Sequence, residues 1–222
     1  MVELVETTAG FRDEYYGMAQ ACEEFVGDGD PPNKLVTGGT LGLGVELWGD
    51  GPTRFAKAQW QRPYINKAKC DEKTLRWVNR QLQPKILVAT QSKILKSVLD
   101  VDGKLVGVTP LIIVTPKSPE LLLKVQALLL APPVSLWSYR RSFGSGLSIE
   151  AIKLSAKQML TVPLPANQNL WSEAAAKLEK LTPHTTEGNC EHCVLVDEVA
   201  QIMTEAYKQA DSVYEWWAGR LQ

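Results

Sequence analysis

The spacing of hydrophobic residues changes several times along the chain, and each change predicts an element. "DEYYGMAQACEEFV" places Tyr16, Ala19, Cys22 and Phe25 or Val26 three or four residues apart, which predicts an early helix. "GDGDPPNK" breaks that pattern with turn residues. "KLVTGG" and "VELWGDGPTRFAKAQWQRPYIN" predict short strands joined by glycine-rich turns, with Trp48, Phe55 and Trp60 as apolar anchors. "DEKTLRWVNRQLQP" predicts a short amphipathic helix stopped by Pro84, with Leu75, Val78 and Leu82 on one face and Lys73, Arg76 and Arg80 on the other. The clearest β signal is "KILVATQSKILKSVLDVDGKLVGVTPLIIVTP", two β-rich runs around Asp102 and Gly103, a residue pair that predicts a hairpin turn.

"PELLLKVQALLLAP" predicts a helix that starts at a Ser-Pro and ends at Pro132 and Pro133, and "PVSLWSYRRS" predicts another short strand. "SIEAIKLSAKQMLTVPLP" holds a turn and a strand, or at least one helical turn at its start if Ser148 caps it with Glu150 following. The end is helical: "NLWSEAAAKLEKL" and "LVDEVAQIMTEAYKQADSVYEWWAGRLQ" flank a loop, "TPHTTEGNCEHC". There is no internal repeat. A β-rich centre between helices predicts an α+β fold, a β-rich core flanked by N-terminal and C-terminal helices.

Composition changes this picture little. Apolar residues make up 45% of the 222 and charged residues 22%, ordinary globular values that argue against wholesale disorder. The longest apolar stretch, "LLLKVQALLLAPPVSLW", is interrupted by Lys124, Gln126 and two prolines, so no membrane partner is expected. The start, "MVELVETTAG", carries acids where a secretion signal would be basic and then apolar. With Cys22, Cys70, Cys190 and Cys193 sparse along the chain, reduced thiols and a cytoplasmic location are expected.

Charge changes it more. The formal net charge of −1 conceals a basic middle: twelve lysines and arginines between Arg54 and Lys104 face only Asp71, Glu72, Asp100 and Asp102. The first and last fifty residues are acidic. One basic segment in a near-neutral chain fits a polyanion-facing surface, and it also fits solvated faces that happen to cluster.

Catalytic chemistry finds little support. Cys190 and Cys193 have the C-x2-C spacing of a zinc grip, yet His184 and His192 crowd into the same loop, so incidental thiols in an exposed loop are the favoured reading over a metal site. "TGGTLGLG" runs into strand and turn signals instead of a helix, which favours β-turns over a nucleotide fingerprint. "DPPN" resembles the Asp/Asn-Pro-Pro-aromatic motif of amino-methyltransferases, but Asn33 has no ring to stack on a base. No nucleophile–base triad and no carboxylate pair stands out. Residues suited to phosphates and base edges are more evident: Arg140 and Arg141 beside Ser142 and a Gly-Ser-Gly, then Lys85, Thr90, Gln91, Ser92 and Lys93, and Arg62 with Tyr64.

"TTAGFRDEYYG", "RFAKAQWQRPYIN", "PKILVATQSKILKSVLDVDG", "LLLAPPVSLW" and "GSGLSIEAIKLSAKQMLTVPLP", in this order, resemble the downstream part of bacterial N6-adenine DNA methyltransferases from restriction–modification or phage-defence systems. The resemblance is to the kind with a TaqI-like C-terminal specificity domain, and it spans roughly Thr7 to Pro165 plus the helical end with "WWAGRL". It implies that residues 1–53 form a junction to a catalytic domain absent from this sequence, that 54–165 form the target-recognition core, and that 166–222 form a C-terminal helical segment. It also implies that the chain is no enzyme on its own and carries no cofactor, S-adenosylmethionine belonging to a catalytic partner. The implied partners are duplex DNA and a methyltransferase catalytic domain or subunit. By position, Lys85, Thr90, Gln91 and Lys93 on a strand and loop become DNA contacts, as do Arg140, Arg141 and Ser145 on a turn at the DNA-facing edge, with Arg62 added from its own chemistry. The alternative from another class is a non-catalytic interaction or regulatory protein that kept the recognition fold and lost DNA binding.

Overall fold

A computed structural model describes residues 1–10, 15–142, 151–180 and 190–221. The fold is α+β, with eight helices and ten strands among the described residues. The first sheet has the order β1-β10-β7-β8, formed by Val5–Ala9 (β1), Lys85–Ala89 (β7), Lys96–Asp100 (β8) and Ile112–Pro116 (β10), antiparallel throughout. The second, β2-β6-β3-β9, combines Cys22–Glu24 (β2), Lys34–Val36 (β3), Pro63–Ile65 (β6) and Leu105–Gly107 (β9), with β3 and β9 parallel. Thr53–Phe55 (β4) and Ala58–Trp60 (β5) form a separate hairpin. Strands from before residue 54 therefore pair with strands after it in both sheets.

The first sheet is the middle layer, buried on both faces. Alternation along β7 sends Ile86 and Val88 into one core and Leu87 and Ala89 into another, and β10 divides Ile112 and Val114 from Ile113 in the same way. On one face lie the helices Leu122–Leu130 (α3), Pro132–Ser142 (α4), Gln168–Leu178 (α6) and Cys190–Ala206 (α7), with the short Ala156–Met159 (α5) packed on β1. On the other lie the second sheet, Tyr15–Ala21 (α1) and Glu72–Gln81 (α2). Asp211–Ala218 (α8) closes a smaller cluster in which Trp217 packs with Ile94, Val196 and Ala200.

Several elements differ from the sequence expectation. The early helix is only α1, burying Met18 and Ala21 while Tyr16 is exposed, and Cys22 already pairs in β2. Helix α2 buries Thr74, Trp77, Val78 and Gln81, an i, i+3, i+4, i+7 set, because Gln81 accepts the Gly107 N–H (2.8 Å) and Thr74 fits against the bare Cα of Gly17. "PVSLWSYRRS" is helical, not a strand. Pro132 and Pro133 occupy its first turn, where a missing N–H costs nothing, and Ser135 and Ser138 pack inward. Among the described residues no strand forms after residue 151; Ser155 caps α5 through a capping box with Gln158. No single helix among the described residues is long and apolar enough to cross a membrane. The α3 and α4 segments meet that test only as a pair bent by 63°, and their apolar side chains lie in the core.

Asp102 and Gly103 do make a turn, but not a hairpin: it carries the chain from β8 in the first sheet to β9 in the second. Gly103 has φ +67°, and a Cβ there would stand 2.7 Å from the Gln83 backbone, so only glycine fits. The turn is held by one carboxylate. Asp100 is the register partner of Lys85, accepts its ammonium, and also accepts the N–H groups of Lys104 (2.9 Å) and Leu105 (3.0 Å). Both side chains are buried, at 0% and 4% exposure, and burial pulls the Lys85 pKa down against the pull of Asp100. Removing one charge leaves the other buried and unpaired. Lys85→Met is therefore expected to cost about 3–5 kcal/mol in urea unfolding, with Lys85→Met plus Asp100→Asn recovering part of the loss.

Candidate nucleic-acid interface

The structure separates the sequence-predicted residues into those spent on the fold and those left at the surface. Lys85 cannot meet a phosphate: it is fully buried and committed to Asp100, which corrects the expectation of a DNA contact. Arg62 is half-buried and engaged within the fold. Its guanidinium donates to the carbonyls of Gly27 (2.9 Å) and Gly29 and stacks 5.0 Å from the Phe25 ring and 5.1 Å from Trp48, so it clamps the 27–29 turn. Tyr64, beside it, donates to Glu23. Thr90 is 4% exposed and donates to the Pro110 carbonyl (2.9 Å), which makes it an anchor of its loop.

That loop, residues 90–95, is fixed along its length. Ser92 accepts the Ile152 N–H at its carbonyl (2.9 Å) and donates its hydroxyl to the Ile94 carbonyl. Ile94 is buried under Trp217, and the Leu95 N–H donates to Ser135 Oγ (3.2 Å). With its neighbours held inward, the loop presents Gln91 and Lys93 to solvent. These are the two predicted contacts on this segment that the structure leaves exposed.

Gln91 and Thr90 border a groove of about 680 Å³ whose opposite side is the β4–β5 hairpin. Arg54 and Lys57 project from that hairpin, and neither has a hydrogen-bond or ion-pair partner among the described residues. Both belong to the basic segment of the sequence, and the structure sets Arg54 outward between buried Thr53 and Phe55. The groove floor includes Gly38 and Gly39 of a single 3₁₀ turn, capped by Thr37, whose hydroxyl also bonds Thr53 Oγ1 (2.6 Å). No helix follows "TGGT", so the dinucleotide reading has no structural counterpart here.

Arg140 and Arg141 lie in the last turn of α4, where cations complement the helix dipole, instead of on a turn. Both are exposed; Arg141 stacks 4.7 Å from the Trp137 ring, beside a second groove of about 450 Å³ lined also by Pro163 and Tyr207. Tyr207 donates to the Pro163 carbonyl (2.7 Å), and burial raises its pKa. Ser145, with its Gly-Ser-Gly, lies outside the described residues, as does His184. Cys190, His192 and Cys193 begin α7 instead of sitting in a loop; His192 is buried with Nε2 on the Leu43 carbonyl (2.8 Å). Among the described residues no cluster of three or more metal-ligating side chains occurs.

Part of the basic segment is paired internally. Besides Lys85, Lys69 pairs with Glu23, whose carboxyl is held down at about 2 by Lys69 first, then Asn66 and Tyr64. Arg76 pairs with Glu72 and Lys104 with Asp102, and Arg80 lies over Trp77. The cations facing the groove are thus a selected subset. No protein-family model matches the chain, and no curated protein matches it.

The hairpin tip carries strain. Ala56 and Lys57 have φ +52° and +65°, the two-residue turn that strands of right-handed twist prefer, yet neither is glycine or asparagine. Each left-handed non-glycine residue costs on the order of 1–2 kcal/mol. Ala56→Asn is expected to stabilise the chain by about 1 kcal/mol, a rise of roughly 2–4 °C in thermal melts, without touching Arg54 or Lys57.

Proposed function

We propose that this chain is the DNA-recognition part of an N6-adenine DNA methyltransferase, binding duplex DNA for a catalytic domain supplied separately, which would bring S-adenosylmethionine and the methyl-transfer chemistry. The observation that carries the reading is the groove between the β4–β5 hairpin and the 90–95 loop, lined by Gln91 and by Arg54 and Lys57, which have no partner among the described residues. Arginine and lysine there suit phosphate oxygens and fix register, while an amide can pair with both exposed atoms of an adenine edge. Exposed Arg140 and Arg141 at the end of α4 supply further cations, and the order of sequence segments supports the same family. On this reading the methyl-transfer chemistry belongs to the separate catalytic domain, and the chain is no enzyme alone.

The test is binding of short duplexes by fluorescence anisotropy across 50–200 mM salt. Affinity is expected to fall steeply with salt, and Arg54→Glu with Lys57→Glu to weaken it at least tenfold and lower the salt slope by about two, roughly 0.9 per phosphate contact. Arg140→Glu with Arg141→Glu is expected to act in the same direction. Duplex binding that is absent at low salt, with and without a catalytic partner, would overturn the reading. Duplex binding unchanged by both reversals would move it to another surface and overturn the assignment to this groove.

A further inference from the structure

The outward face of α4 carries chemistry that the groove beside the β4–β5 hairpin does not use. Pro133, Leu136, Trp137 and Arg140 recur at i, i+3, i+4 and i+7, so they share one side of the helix. The opposite side is spent on the core: Val134 and Ser138 are buried, and Ser135 holds the 90–95 loop through the Leu95 N–H (3.2 Å). The outward stripe forms one wall of the second groove, about 450 Å³, within the roughly 300–1,000 Å³ of clefts that enclose small organic molecules. The other wall is Pro163 and Tyr207, locked together by the Tyr207 hydroxyl on the Pro163 carbonyl (2.7 Å).

This groove offers donors and ring surface, with no carboxylate among the described residues that line it. Arg140 and Arg141 have no ion-pair partner among the described residues. The Arg141 guanidinium lies 4.7 Å from the Trp137 ring, a stacking contact that orients its planar fork and leaves its N–H groups for a ligand. The Trp137 indole N–H has no acceptor among the described residues either. Cationic donors beside fixed rings call for a ligand that is anionic at one end and flat at the other. Paired bases cannot meet that need, because they are stacked inside the duplex. An unpaired nucleotide meets it, with its base on aromatic side chains and its phosphate on guanidinium groups. An acidic peptide would satisfy the charge, but no strand edge lines the groove to hold its main chain.

We propose that the groove beside α4 holds an unpaired nucleotide of a DNA strand, its base against Trp137 and Tyr207 and its phosphate on Arg140 and Arg141. The proposal rests on the DNA reading and adds an unpaired strand to it. The test is fluorescence anisotropy of the full chain with three short duplexes. One is blunt, one carries a single-stranded overhang, and one carries an overhang of equal length whose sugars lack bases, which matches the phosphate charge. The base-bearing overhang is expected to bind at least about fivefold tighter than the base-free one, the least that one stacked base contributes. Trp137→Leu, checked by thermal melting, is expected to bring that ratio to about one. If this variant does not fold, the indole ¹⁵N–H resonance of Trp137 in the unmodified chain is expected to shift saturably with the base-bearing overhang and not with the base-free one. Equal binding of the two overhangs overturns the proposal and, where the blunt duplex binds, leaves the DNA reading standing. A ratio that survives Trp137→Leu, or an unmoved indole resonance, overturns it by placing the unpaired bases elsewhere. Binding of none of the three overturns both. Displacement of the overhang by polyglutamate as readily as by single-stranded DNA overturns the proposal by assigning the groove to acidic peptides.

Discussion

One buried carboxylate ties the two sheets together. Asp100 ends β8 and gathers a lysine ammonium and two backbone N–H groups beyond the turn, so the chain can leave the first sheet and enter the second without stranding polar groups. The tight turn at Gly103 is possible only because that residue lacks a side chain. With the crossing fixed, the first sheet becomes an inner layer with apolar cores on both faces. The pair is costly to bury and is best understood as specifying a path: with Asp100 opposite Lys85, the register of β7 against β8 is set, and a one-residue slip would separate the charges.

The proposed interface follows from that frame. The 90–95 loop springs from β7, and its inward anchors at Pro110, Ser135, Ile152 and Trp217 leave Gln91 and Lys93 outward. Across the groove, the hairpin holds Arg54 and Lys57 on a strained tip. Lys69, Arg76 and Lys104 nearby are matched by carboxylates, which Arg54 and Lys57 lack among the described residues. A surface of this kind depends less on net charge than on which charges lack partners, which is how a near-neutral chain can present a local polyanion site.

Regular periodicity was legible in the sequence and pairing was not. The α+β class, the α2, α3, α6 and α7 helices and the short central strands follow from residue spacing and turn residues. The buried face of α2 is not legible from hydropathy, because Thr74 and Gln81 are polar yet buried beside Gly17 and Gly107. Helix α4 carries its helical signal in Ser135, Ser138 and Ser142, small residues three and four apart that share the buried face, and in the pair of prolines that preset the first turn. Lys85 looks like a surface cation because its partner is fifteen residues away and comes opposite only through strand register. Arg62 looked free for the same reason, since the carbonyls it holds belong to a turn more than thirty residues upstream.

The most direct test of the proposed interface is lysine footprinting by mass spectrometry, with and without duplex DNA at low salt. Duplex DNA is predicted to protect Lys57 and Lys93 from acylation while leaving the exposed Lys180 as reactive as in the free chain. Unchanged reactivity at Lys57 and Lys93, or protection confined to Lys180, would contradict it.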